Sequence, residues 1–96
     1  MKPGFHELKT WPEFFNDVWS GDKTFELRPD YDKRFKAGDL LKFKEWTKAG
    51  GYTGREITAT VTFVMTRSLG MEAGWIIMSL SHFFLKPKDV DGWDED

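Results

Sequence analysis

The sequence predicts a mainly-β α+β fold: a small barrel or curled sheet of about five to six strands with one N-terminal helix near residues 11–20. Three observations carry this expectation. Ile57, Ala59, Val61, Phe63 and Met65 alternate with Glu56, Thr58, Thr60, Thr62 and Val64, the period of two expected of a strand with one buried face. Phe14, Phe15, Val18 and Trp19 recur at helical spacing and form one apolar stripe. Short apolar runs are separated by glycine-bearing segments, as in antiparallel sheets.

Phe5–Lys9 reads as the first short strand. Thr10-Trp11-Pro12-Glu13 then reads as a helix start. Thr10 is placed to cap, Glu13 follows three residues on, and Pro12 lacks only an N–H that the first turn leaves without a partner. Gly21 occupies the position just past the helix end. Lys23–Arg28 is the second strand, and Pro29 ends it before a polar connection reaching Gly38. Asp39–Trp46 is the third, with Leu41 and Phe43 opposed to Lys42 and Lys44. Residues 47–54 have the glycine density of a hairpin loop, Arg55–Met65 is the fourth strand, and Trp75–Leu80 is apolar enough to be central. His82 and the apolar residues after it are expected to dock on the body.

With 96 residues, 40% hydrophobic and 17% aromatic, one domain over residues 1–88 is expected, its core supplied by large rings. Residues 89–96 carry five acids and no Lys or Arg, which leaves residues 1–88 with a net charge of +3. The expectation is a mildly basic body with a mobile acidic tail. Cysteine is absent, which removes disulfides and thiolate metal sites and fits a reducing cytoplasm. No apolar run approaches the roughly 20 residues needed to cross a bilayer, and the N-terminus has no signal-peptide core. His6 and His82 are too far apart in sequence to argue for a transition metal, and the acidic tail lacks a calcium-loop pattern. No metal, cofactor or membrane partner is expected, and the chain is expected to be a monomer.

The richest segment is Gly21-Asp22-Lys23-Thr24-Phe25-Glu26-Leu27-Arg28. On a strand, Thr24, Glu26 and Arg28 share one face while Phe25 and Leu27 share the other. The apolar pair is expected to anchor the strand in the core, leaving the charged pair to face a cleft with Lys23 at its entrance. An exposed Glu26–Arg28 ion pair worth at most about 1 kcal/mol is the plain alternative. Arg28 suits bidentate bonding to a phosphate or base edge, Lys23 adds a mobile positive charge, and Glu26 can accept from an exocyclic amino group. Trp46, Tyr52 and Trp11 are candidate stacking surfaces, with Tyr52 favoured by its glycine-rich surroundings. His6 is a candidate donor or acid–base group beside them, and Lys9 is a candidate contact. Lys42, Lys44, Lys48 and Arg55 can add phosphate attraction.

The spacing Gly21, Lys23, Glu26, Arg28 matches the GxKxxExR pattern of the ASCH family, within the PUA-like superfamily. His6–Lys9, Lys23–Arg28, Phe35–Asp39 and Tyr52–Glu56, in that order, resemble its small bacterial and phage branch DUF3850, over about residues 4–81. The resemblance implies a PUA-like β-barrel with one helix near an end, and a cleft that in relatives accommodates RNA or a modified nucleoside. Lys23, Glu26 and Arg28 would line that cleft. The function it implies is RNA or nucleotide binding. The alternative is a small hydrolase of a modified nucleoside or RNA, with Lys23 and Glu26 as the reacting pair. Family amidohydrolases acting on N4-acylated cytidine carry a Lys-Thr-x-Thr-x-Arg variant whose second Thr is the nucleophile. This chain keeps Lys23 and Arg28 but has Glu26 at that Thr, so an acyl-enzyme route lacks its nucleophile. A third possibility is a phage or mobile-element interaction module engaging a protein through the acidic tail or Trp93.

Overall fold

The computed structural model describes residues 3–30, 34–66 and 70–88. Among these, five strands and one helix follow in the order β1 (Phe5–Thr10), α1 (Pro12–Trp19), β2 (Phe25–Pro29), β3 (Leu40–Thr47), β4 (Gly51–Met65) and β5 (Trp75–Lys86). They form one sheet, β1-β3-β4-β5-β2, curled as a half-barrel. β1 runs parallel to β3, and every other pairing is antiparallel. The two edges, β1 and β2, are joined in sequence by α1. The acidic segment 89–96, with Trp93, lies outside the described residues, as do Tyr31–Lys33 and residues 67–69.

The core is the inner face of the sheet. Leu8, Leu41, Phe43, Ile57, Ala59, Val61, Ile76, Met78 and Leu80 are buried there, together with Phe35 from the β2–β3 connection. Phe15 and Val18 of α1 complete it, while Phe14 at the next position is half-exposed. The helix start differs from the expectation. Thr10 belongs to β1, where its hydroxyl donates to the Leu8 carbonyl, and Trp11 is the N-cap with no side-chain cap bond. Pro12 does stand in the first turn, and Gly21 follows the helix with φ +89°, a conformation costly for residues with a Cβ.

Two polar clusters tie the sheet to its surroundings. Asp39 is buried and accepts from the N–H groups of Gly4 (2.7 Å) and Lys36 (2.9 Å), and it bonds His6 Nε2 (2.9 Å). A Cβ at Gly4 would stand 3.0 Å from His6 Nε2 and 3.1 Å from the Asp39 carboxylate, so a larger residue there would crowd this cluster. Burial pushes the Asp39 carboxyl up, but its bonds to His6, Gly4 and Lys36, with the nearby His6 charge, bring it below its usual value. The second cluster centres on Glu45, which binds Arg55 through both carboxylate oxygens, each at 2.9 Å. The Arg55 guanidinium lies 4.8 Å from the ring centroids of both Phe15 and Trp19, and it donates to Asn16 Oδ1 at 2.6 Å. α1 is thereby fastened across the β3–β4 hairpin.

Several strand boundaries and faces differ from the sequence expectation. The hairpin turn is shorter than residues 47–54, because β4 begins at Gly51 and pairs it with Thr47. The alternation of β4 breaks between Val61 and Phe63, where the register with β5 shifts. One extra residue at a bulge moves everything beyond it to the opposite face. Val64 therefore packs against the core, while Phe63 is 58% exposed. β5 does not stop at Leu80 but continues through His82 to Lys86, with a second register shift opposite Thr58–Thr60.

Candidate functional site

Strand β2 is the structural origin of the site. Glu26 and Arg28 pair with Met78 and Ile76 of β5, both buried, so the charged residues occupy the inner face. Phe25 and Leu27 point the other way, each 48% exposed. This corrects the expectation that they anchor the strand. β2 is held by its ladder to β5 and by its inward charges, and its apolar side chains face outward. The pairing Phe25–Ser79–Phe63 and Leu27–Ile77–Met65 lines those outward rings and aliphatics into rows on the outer face.

Glu26 is 6% exposed, and both of its oxygens have cationic neighbours. Arg28 Nε donates to Oε2 at 2.5 Å, and Lys23 Nζ lies 3.7 Å from Oε1. Lys23 is also within 5.6 Å of the Phe14 ring centroid and 5.5 Å of that of Phe25. Arg28 Nη2 reaches across to the opposite sheet edge, to the Lys9 carbonyl at 3.3 Å and Thr10 Oγ1 at 3.4 Å. These are long contacts, weak beside a well-formed N–H···O bond. They are the side-chain bridge over a seam where β1 and β2 are not neighbours in the sheet.

A cleft of about 520 Å³ opens along that seam. Its walls are Lys9, Thr10, Trp11 and Phe14 on one side, Lys23, Glu26, Leu27, Arg28 and Pro29 on the other, with Trp75 at the start of β5. The volume falls within the roughly 300–1,000 Å³ usual for small-molecule sites, and the mix of rings and converging polar groups is also typical of them. The ion pair is therefore a wall of an open hollow and not a sealed core contact.

Of the residues singled out from sequence, Lys9, Lys23, Glu26 and Arg28 come together in this cleft. Thr24 is exposed beside it, and the wall does not include it. His6 stands in the Asp39 cluster against the Phe35 ring, 4.6 Å between centroids, away from the cleft wall. Tyr52 is a strand residue opposite Trp46, and neither lines the cleft. Trp11 does, and Trp46 meets it edge-to-face at 5.2 Å. Arg55 is committed to Glu45, while Lys42 and Lys44 sit 3.5 and 3.7 Å from Glu56 and Glu7. Phe14, Pro29 and Trp75 were not picked out from sequence as wall residues. Phe14 reads as part of the helix stripe and Trp75 as the first residue of a central strand, and no local signal separates either from core.

The chain matches the model of the family described as "Domain of unknown function (DUF3850)" over residues 5–80. It belongs to that family. Separately, proteins named N(4)-acetylcytidine amidohydrolase from Escherichia coli are similar to it. The one from strain SMS-3-5 / SECEC is 29% identical over 80 residues, covering 83% of this chain and 76% of the relative. Those from strain SE11 and from O1:K1 / APEC are each 29% identical over 65 residues, covering 68% of this chain. The chain thus spans 61% of the length of those two relatives. The cleft-forming elements β1, α1, β2 and the start of β5 all fall within the DUF3850 match.

Proposed function

We propose that the seam cleft binds a nucleoside or nucleotide carrying a cytosine-like base. The observation that carries this reading is Glu26, buried between Lys23 and Arg28 in the wall of an aromatic-lined hollow. A buried carboxylate accepts strongly from an exocyclic amine or amide N–H, which is what the N4 position of cytosine and of its acylated forms presents. Trp11 and Trp75 offer ring faces for the base, and Lys9 and Arg28 offer cations for a phosphate. The similarity to proteins named N(4)-acetylcytidine amidohydrolase supports the same ligand class.

The test is titration of cytidine, cytidine 5′-monophosphate and N4-acetylcytidine, followed by tryptophan fluorescence, because two of the five tryptophans stand in the cleft wall. Saturable quenching that Arg28→Ala weakens, in a variant with an unchanged circular dichroism spectrum, is the expected result. A flat response to all three compounds contradicts the reading.

A hydrolytic role is a second reading, favoured by the 3.7 Å approach of Lys23 Nζ to Glu26 Oε1 and by the names of the relatives. Glu26 would take a proton from water as the oxygen adds to the acetyl carbonyl. Lys23 would stabilise the oxyanion, and the proton would pass to N4 as the C–N bond breaks, giving acetate and cytidine. Incubation with N4-acetylcytidine and mass spectrometry of the products decides this reading. Wild type releasing cytidine and Glu26→Gln releasing none is the expected pattern, and an inert wild type leaves a binding module.

A further inference from the structure

Segment 89–96 carries five acids and Trp93, and the chain enters it from a defined place on the body. Lys88, the last described residue, packs on Gly54 of β4. A Cβ on that glycine, whose φ is +99°, would stand 3.2 Å from the Lys88 carbonyl oxygen. Lys86 Nζ donates to the Gly54 carbonyl at 3.0 Å, and the Lys88 charge helps to lower the Glu45 carboxyl. The segment thus starts beside β4, two positions from Tyr52. Next to that start lies a strip of rings and lysines. Tyr52, 56% exposed, pairs across the hairpin with Trp46, and Trp46 meets Trp11, 44% exposed, edge-to-face. Lys44 Nζ stands 4.8 Å from the Tyr52 ring centroid, and Lys9 Nζ stands 4.4 Å from that of Trp46. The register sets Lys9, Lys44, Glu56 and Lys86 in one row and Glu7 with Lys42 in the next, four lysines against two glutamates.

We propose that segment 89–96 docks on this strip of its own molecule, with the Trp93 ring against Tyr52 and Trp46 and its carboxylates against Lys9 and Lys44. Charge and reach select this occupant. Five acids meet a face where lysines are in excess, on a body of net charge +3 over residues 1–88. The five residues from Asp89 to Trp93 extend up to about 17 Å. Tyr52 is two strand positions from Gly54, about 7 Å, and Trp46 is one strand spacing beyond, about 5 Å. A short tether holds the segment at an effective concentration on the order of millimolar, so a single ring contact and a few exposed ion pairs, each weak alone, are enough to hold it. Lys9 and Trp11 also belong to the cleft wall, so the docked segment borders the cleft. This docking does not depend on what the cleft binds.

The chain has no cysteine, so Asp96→Cys gives a single attachment point for a nitroxide label on the full chain. Amide NMR signals of Lys9, Lys44, Trp46 and Tyr52 are expected to lose intensity compared with the reduced label, while those of Phe25 and Leu27 keep theirs. Tyr52→Ala and Trp93→Ala are each expected to restore most of the lost intensity, because either removes one side of the ring contact. Lys44→Glu should do the same by reversing a charge, as should about 1 M NaCl, where the Debye length falls to about 3 Å. Trp93→Ala lies outside the folded strands, so it keeps the test open should Tyr52→Ala unfold the hairpin. A segment merely tethered at Gly54 would bleach its surroundings alike in every variant and at every salt concentration, and that result overturns the docking. Signal loss in a mixture of labelled, unenriched chain with unlabelled, isotope-enriched chain places the segment on a second copy and overturns the intramolecular form.

Discussion

Among the described residues two glutamates are buried, Glu26 and Glu45, each 6% exposed and each paired with an arginine, yet the two pairs serve opposite ends. Arg55 grips Glu45 through two nitrogens, donates to Asn16, and lies against Phe15 and Trp19, while Thr53 bonds Oε1 at 2.7 Å. Both the Nε and the Nη2 of Arg55 are taken up by short bonds to protein acceptors. Arg28 grips Glu26 through Nε alone, and its Nη2 makes only long contacts across an open seam. The same ion pair is closed where α1 crosses the hairpin and open where the sheet stops short of joining its own edges. Burial of a charge pair therefore says little about its role until the far side of the arginine is known.

The largest expected effect probes the closed pair. Arg55→Ala leaves Glu45 buried without its cation and should cost about 3 kcal/mol or more in urea unfolding. A loss below about 1 kcal/mol would dissolve the contrast, because Glu45–Arg55 would then be as dispensable as a surface pair. Next is the open pair. Arg28→Ala should lower affinity for cytidine 5′-monophosphate about 10- to 100-fold, the loss of charge-assisted hydrogen bonds, while destabilising the fold far less than Arg55→Ala.

Acid unfolding sharpens the comparison further. The bonds from Arg55 hold the Glu45 carboxyl below its usual value against the opposing effect of burial, with Thr53 and the charges of Arg55 and Lys88 adding to the same side. A carboxyl lowered in the folded state contributes stability that is fully present above its unfolded value, near about 4.3 for Glu, and is lost as pH falls through the lower folded value. Glu45→Gln should cost about 1–2 kcal/mol at pH 7 and flatten the acid limb of stability below about pH 4.3. Asp39, lowered in the same sense, should leave a residual slope in that variant. The smallest effect belongs to the outer side of β2. Phe25→Ser should change stability by less than about 1 kcal/mol, as at an ordinary surface position, whereas the inward ring of Phe43 should cost about 3–5 kcal/mol when cut to Ala.

Strands β2 and β3 show how far local pattern reaches. Both alternate, and both were readable as strands with Glu26 and Arg28 on one face of β2 and Leu41 and Phe43 on one face of β3. On β3 the apolar side is inward, as expected. On β2 the polarity is inverted, and period-two spacing cannot reveal this, because it relates residues to one another and not to the core. What turns Glu26 inward is its register with Met78, more than fifty positions away. The bulge after Val61 is invisible for a related reason: it inserts one residue into a run whose alternation looks continuous. Tyr52 was favoured as the ring beside the site because glycines surround it, but those glycines frame a tight turn and leave it in a strand. Trp11 gained its place in the cleft because the chain leaves β1 there, at the seam.

Hydrophobic period and turn chemistry along the chain established the strands, the helix and the Lys23–Arg28 cluster, because these are short-range properties of neighbouring side chains. Where the sheet fails to close was decided only when β5 came to lie between β4 and β2, which set β1 and β2 at opposite edges with the cluster facing the gap. That outcome depends on contacts between segments distant in sequence, and their free energy exists only once the chain has folded.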